Sequence, residues 1–154
     1  MADNALAYDE DTKRLYLDLF TEIAIIEHLV RQRFEPQHFA DLRSVDFAVL
    51  NYFVRLGKDS EKVQTLAWCF QVETVAVRAT VAELAVRRLV EVDWVDGFEC
   101  VFVTEAGRAK HAEAIADVAP DITEIMSEFD YADLRITTNT LKEIRRTFDN
   151  LPDR

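Results

Sequence analysis

Glycine and proline are scarce in this chain, with three of each among 154 residues. A sheet-rich fold strung on many tight turns needs far more of both, so helices with short connections are expected. The same scarcity excludes collagen-like and low-complexity chains. Cysteine is limited to Cys69 and Cys100, too few for a disulfide framework. No run of about 18 apolar residues occurs, so no membrane span is expected. The opening MADNALAYDEDTKR is polar and acidic and lacks an apolar leader core. The expectation is a cytoplasmic protein with reduced thiols and no membrane partner.

Catalytic signatures are missing as well. His28, His38 and His111 have no ligand spacing with cysteine or carboxylate, so no metal site is expected. There is no Ser/His/Asp grouping, P-loop or glycine-rich phosphate motif, which points away from an enzyme and from any cofactor. Nothing basic flanks either thiol, so neither has an evident source of activation. Core packing is the expected role of both.

What is plentiful is apolar side chains and negative charge. Hydrophobic residues make up 49% and charged residues 31%, a globular composition. A chain of this length buries roughly 68–70% of its unfolded surface, enough for a self-sufficient core. There are 29 acidic and 18 basic residues, a formal net charge of −11. Such a surface repels nucleic acid at long range, though salt screens this beyond about 8–10 Å. The charge is unevenly distributed. Residues 46–90 hold six basic and five acidic residues, whereas residues 91–106 hold five acidic and no basic ones.

Periodicity sets the order of elements. From Asp11 to Phe34, Leu15, Leu19, Ile23, Ile26, Val30 and Phe34 recur at helical steps. Leu17, Phe20, Ile25 and Leu29 widen that stripe past one face, so this helix needs a second packing partner, for which a second copy of the chain is expected. Pro36 is expected to stop it. A second helix runs from Ser44, as N-cap, to Leu56, with Gly57 as its C-cap. A short helix over Gln64–Phe70, the turn Gln71-Val72-Glu73 and a helix over Thr74–Arg88 follow, the last with Val77, Val81 and Leu84 inward. Then the period changes to two. Val90, Val92 and Trp94 alternate, Asp96-Gly97 signals a hairpin turn, and Phe98, Cys100 and Phe102 alternate on the return strand. Thr104 caps a long helix that Pro120 kinks or ends. Ile122, Ile125, Met126 and Phe129 continue an apolar face. Asp130 caps a last helix through Leu134, Thr138, Leu141, Ile144 and Phe148, and the tail LPDR is expected to fray. The fold class is mainly α with a small β-hairpin, α+β.

A short helix, a three-residue turn, a helix and at once a hairpin form a winged helix-turn-helix arrangement. From Leu42 to about Leu151 the chain resembles the MarR family of bacterial dimeric regulators. The resemblance rests on DFAVLNYF, on TLAWCFQVETVAVRATVAELAVRRLVEV, and on VFVTEAGRAKHAEA. It implies a homodimer in which residues 11–35 and 121–150 are dimerisation helices. Residues 44–103 are the winged helix-turn-helix, residues 104–119 a linking helix, and residues 1–10 an acidic lead-in to a single domain over 11–150. The departures lie at the DNA-facing surface. Ala76 and Ala79 stand where the family places small polar and basic residues, with Arg78 one place early. The wing is short and acidic.

Arg78 with Thr74 and Thr80 is placed to read base edges, an arginine being able to pair bidentately with guanine. The alternative is a solvated helix face. Lys62, Arg87 and Arg88 are candidate phosphate contacts, with Arg55 and Lys58 nearby. The alternative for Arg87 and Arg88 is cations facing a helix C-terminus. The resemblance further implies a small aromatic effector in a pocket lined by Phe20, Ile23, Tyr52 and Phe53. Two functions follow. One is a dimeric transcriptional regulator binding duplex DNA through the 74–88 helix. The other is a winged-helix interaction module, with DNA mimicry as one form of it, that has lost DNA binding and docks a protein through Trp94 and Phe98.

Overall fold

The computed structural model describes residues 9–35 and 39–150. Pro36, His38, most of the acidic lead-in and the LPDR tail lie outside the described residues. The chain forms two compact units, one up to Ala114 and one from Ile115 onward.

The first unit opens with α1 (Glu10–Phe34), capped by Asp9, whose carboxylate accepts from the Thr12 amide at 2.7 Å. A 3-10 turn (Phe39–Asp41) leads into α2 (Ser44–Leu56). The N-cap of α2 is Arg43, not Ser44. Asp46 explains the shift, because its carboxylate accepts from the Arg43 backbone amide at 3.0 Å and from the Arg43 guanidinium at 2.9 and 2.7 Å. Ser44 instead donates to Glu35 at 3.1 Å. Gly57 ends α2 with φ 62°, a left-handed cap that suits a residue without a Cβ.

The connection after Gly57 holds a strand that the sequence pattern did not show, β1 (Ser60–Lys62). Then come α3 (Val63–Phe70) and α4 (Thr74–Val86). The turn between them starts at Gln71, left-handed at φ 54°, with the Val72 amide returning to the Ala67 carbonyl at 3.1 Å. Helix α4 stops at Val86, two residues before the expected end. Arg88 is left-handed, φ 58°, and Leu89 donates back to the Leu84 carbonyl at 3.0 Å.

β2 (Val90–Val95) and β3 (Phe98–Val103) form the expected hairpin. Asp96 and Gly97 both have positive φ, 50° and 80°, as a type I′ turn demands. The sheet has three strands rather than two, in the order β1-β3-β2, all antiparallel. Register assigns the two faces. Val90 pairs with Val103 and Val92 with Val101, so Val101 shares the core face with Val90, and both are fully buried. Phe98, Cys100 and Phe102 share the opposite face with Lys62.

The core of this unit joins Val49, Leu50 and Phe53 of α2, Val63 and Leu66 of α3, Val77, Val81 and Leu84 of α4, and Val90 and Val101 of the sheet. Tyr52 belongs to it. Its hydroxyl donates to Glu61 of β1 at 2.9 Å, and burial together with that carboxylate pushes its pKa up to about 12. Arg43 also reaches Glu83 of α4 at 2.6 Å, tying α2 to the helix-turn-helix.

Thr104 caps α5 (Glu105–Met126), its hydroxyl accepting from the Gly107 amide at 3.0 Å. His111 is buried in the first unit, stacked on Phe47 with centroids 5.0 Å apart and 3.1 Å from Asn51 Oδ1. Pro120 does not end α5, which runs on to Met126. The second unit holds the C-terminal part of α5 and α6 (Tyr131–Asp149), capped by Asp130, which accepts from the amides of Ala132 and Asp133 at 2.8 and 3.1 Å. No helix among the described residues is long and apolar enough to cross a membrane. Cys100 is buried as expected, but Cys69 is exposed, correcting the packing role given to it.

Candidate nucleic-acid interface

Helix α4 is held by three buried residues at helical spacing, Val77, Val81 and Leu84, so its other faces are open. Arg78 lies on the open side. Its Nε donates to Glu99 of β3 at 2.6 Å, so the single arginine within this helix is neutralised by the wing. Thr80 is half-buried and donates to the Ala76 carbonyl at 3.3 Å, which turns its hydroxyl to the helix backbone. Thr74 is half-buried at the first position of α4.

The remaining cations divide into neutralised and open charges. Lys58 is paired with Glu61. Lys62 sits over the Phe98 ring, its Nζ 3.5 Å from the centroid, an interaction that leaves its charge uncompensated. This contact joins one residue expected to face DNA with one expected to face a protein. Arg87 donates to the Asp41 carbonyl at 3.1 Å and is exposed. Arg88 and Arg55 are exposed and carry no ion pair among the described residues. Lys62, Arg88 and Arg55 therefore keep open positive charge, while Arg87 lies close enough to Asp46 for its charge to act on that carboxylate. Trp94 stands 67% exposed near the hairpin tip.

The four residues of the expected effector pocket are distributed between surface and core. Phe20 is exposed and Ile23 half-buried on α1, while Tyr52 and Phe53 are core residues whose rings meet edge to face at 5.5 Å. Two surface clefts lie elsewhere. One of about 470 Å³ is lined by Ala85, Val90, Val92 and Phe102 with Glu91 and Asp93. The other, about 590 Å³, covers the helix-turn-helix turn between Trp68, Val72 and Ala76. Among the described residues no group of three or more His, Cys, Asp or Glu side chains is arranged to hold a metal.

Sequence reasoning missed two features. Glu99 is 21 residues from Arg78, and no local pattern announces their pairing. The open face of α4 was legible in principle: only four of the thirteen residues in TVAVRATVAELAV are polar, more apolar character than one buried face requires.

This geometry defines a winged helix-turn-helix protein. No protein-family model and no curated protein sequence matches the chain. Solved structures do. The transcriptional regulator BldR from Sulfolobus solfataricus is 19% identical with a TM-score of 0.71, over 94% of this chain and 100% of that one. A MarR-family regulator from Rhodococcus sp. RHA1 is 18% identical at 0.71, over 84% and 94%. A MarR-family protein from Bacillus stearothermophilus is 14% identical at 0.71, over 90% and 98%. The chain thus has the winged-helix fold of MarR-family regulators.

Proposed function

We propose that this protein is a homodimeric transcriptional regulator that binds duplex DNA through α4. The observation that carries the reading is the open side of α4 in the α3-turn-α4 unit, with the exposed cations Arg87 and Arg88 directly after its last turn and Lys62 keeping its charge on the neighbouring sheet. A helix so presented fits a major groove, and cations at its margins fit phosphates. The dimer is supported by α1, where Leu15, Leu17, Ile26 and Leu29 are exposed along much of the helix, Leu17 at 70%. In the second unit Ile125, Phe129, Ile136 and Phe148 are exposed as well. Apolar surface on this scale in a chain of net charge −11 supports an interface there.

A gel-shift titration with mixed-sequence duplex DNA at low salt tests the reading. Retarded complexes that weaken steeply with added salt support it. One observation favours a second reading, in which the wing docks a protein: Trp94 is largely exposed beside Asp93 and Asp96. Absence of duplex binding in the wild type and in Glu99→Lys, where the repulsion is reversed, overturns DNA binding in favour of the docking module.

A further inference from the structure

Helix α4 is apolar on two opposite sides. Val77, Val81 and Leu84 face the core. Val75, Ala79, Ala82 and Val86 recur at steps of four, three and four, which puts them on one stripe facing directly away from it. All four are exposed, Val75 at 71% and Val86 at 85%. The outward stripe of a solvated helix is ordinarily polar. The polar residues of α4 are instead set off this stripe: Arg78 pairs with Glu99, Glu83 with Arg43, Thr80 bonds its own helix, and Thr74 is half-buried at the first position. The stripe therefore offers no hydrogen-bonding side chain to a base edge.

Two alanines at its centre let the helix backbone come close to whatever it meets. Major-groove edges present donors, acceptors and one apolar group, the C5-methyl of thymine. A stripe of valine and alanine matches only the last of these. Arg88, two residues past Val86, is exposed and carries no ion pair among the described residues, and Arg87 before it is exposed too, which favours duplex DNA over an apolar protein groove as the occupant. Resting on the regulator reading above, we infer that α4 selects its sites through thymine methyl groups. Val75, Ala79, Ala82 and Val86 pack on methyls of T·A-rich steps, and Arg87 and Arg88, directly after the helix, fix the register on phosphates. The one arginine within the helix is paired with Glu99 of the wing rather than standing free for guanine.

The experiment enriches short duplexes from a random library on the full chain at low salt, then remakes the winners with deoxyuridine in place of thymidine. That exchange keeps every hydrogen-bonding group and removes only the methyl. Enriched sites should be rich in T·A, and affinity should fall about fourfold for each contacted methyl lost. Adding methyls to a G·C control duplex, as 5-methyldeoxycytidine, should strengthen binding. The double variant Val75→Ser/Val86→Ser changes only exposed positions, and its binding should lose sensitivity to the uridine exchange. Duplexes that are enriched and bound equally well with uridine overturn the methyl reading and leave DNA binding standing. No duplex bound at any salt overturns both, with a protein then the occupant of the stripe.

Discussion

The Arg78 guanidinium of α4 and the Glu99 carboxylate of β3 meet at 2.6 Å, so the wing neutralises the helix beside it. Arg78 is about half exposed and Glu99 half-buried, and a pair open to water on one side is worth about 0.2–1 kcal/mol. Glu99→Gln releases the guanidinium and removes a charge that repels phosphate. The variant should bind duplex DNA up to about fivefold more tightly at low salt, the upper end of that range. Its salt dependence should steepen by about one unit of slope, since one more cation displaces a counterion. Arg78→Ala in the Glu99→Gln background should remove the part of the gain that comes from the freed guanidinium. Equal affinities for wild type and Glu99→Gln across a salt titration would show that the pair does not govern binding.

The exposed apolar residues of α1 predict a stable dimer. Sedimentation at micromolar concentration should give the mass of two chains. An interface made by whole helices should bury more than about 2,000 Å². Leu17→Asp with Leu29→Asp should yield monomers whose winged unit still melts cooperatively, because both residues lie outside its core. A monomeric wild type would refute the prediction.

Most helices were legible in the sequence because apolar residues repeat at helical steps and caps such as Gly57 and Asp130 punctuate them. Asp96-Gly97 announced the hairpin for the same local reason. What escaped was non-local or competitive. Strand β1 is Ser60-Glu61-Lys62, with no alternating apolar side chain, and it exists because β3, some forty residues on, supplies its partner. Arg43 displaced Ser44 as cap because Asp46 binds both its backbone and its side chain. Helix α5 passes through Pro120 at an exposed position, where water can satisfy the carbonyl that proline leaves without a donor. At the candidate interface the cations were legible from charge alone. Their partners were not, since Glu99 meets Arg78 only once the sheet has folded over α4.

Cys69 lies between Trp68 and Phe70 in sequence, yet α3 turns Val63, Leu66 and Ala67 inward and leaves Cys69 outside. Cys100 is buried on β3. A maleimide should label one thiol per chain in the native state and two in denaturant. Cys69→Ser should abolish the native labelling with little change in stability, whereas Cys100→Ser should cost about 1–2 kcal/mol. Two native labels would contradict the burial of Cys100.

Acid should unfold the winged unit in two stages. Burial pushes the His111 imidazole below its ordinary value of 6.5. The unfolded chain therefore takes up that proton more readily, and stability declines as pH falls below about 6.5. For Asp46, burial works to raise the carboxyl, but the hydrogen bonds and charge of Arg43 outweigh it and hold the group below the usual carboxylate range. Its contribution is complete above the unfolded value and is lost as pH falls through the folded one. His111→Leu should flatten the first stage of a melting-temperature profile against pH. Asp46→Asn should cost about 2–4 kcal/mol at neutral pH, since the Arg43 guanidinium loses its ion pair and a capping acceptor is weakened, and it should remove the second stage. A wild-type melting temperature that is flat from pH 7 to 5 would refute the histidine stage.

Gly107 sets the junction between wing and α5. A Cβ there would lie 2.1 Å from the Leu89 carbonyl oxygen and 3.2 Å from Val103 Cγ2. The same Leu89 carbonyl accepts from the Thr104 amide at 3.2 Å, so the end of the helix-turn-helix, the return strand and the start of α5 converge on one point. Alanine is worth about 1 kcal/mol more than glycine in an open helix interior. Here the obstacle is backbone, which cannot swing aside as a side chain can. Gly107→Ala should therefore destabilise the unit by about 2–4 kcal/mol, through overpacking that outweighs the propensity gain. Gly57→Ala is the control: nothing lies within 4 Å of its added Cβ, and only its left-handed backbone, φ 62°, opposes the change. That substitution should cost about 1–2 kcal/mol. Urea midpoints with unchanged slopes would measure both. A Gly107→Ala protein as stable as the wild type would mean that α5 and the Leu89 carbonyl are not in contact.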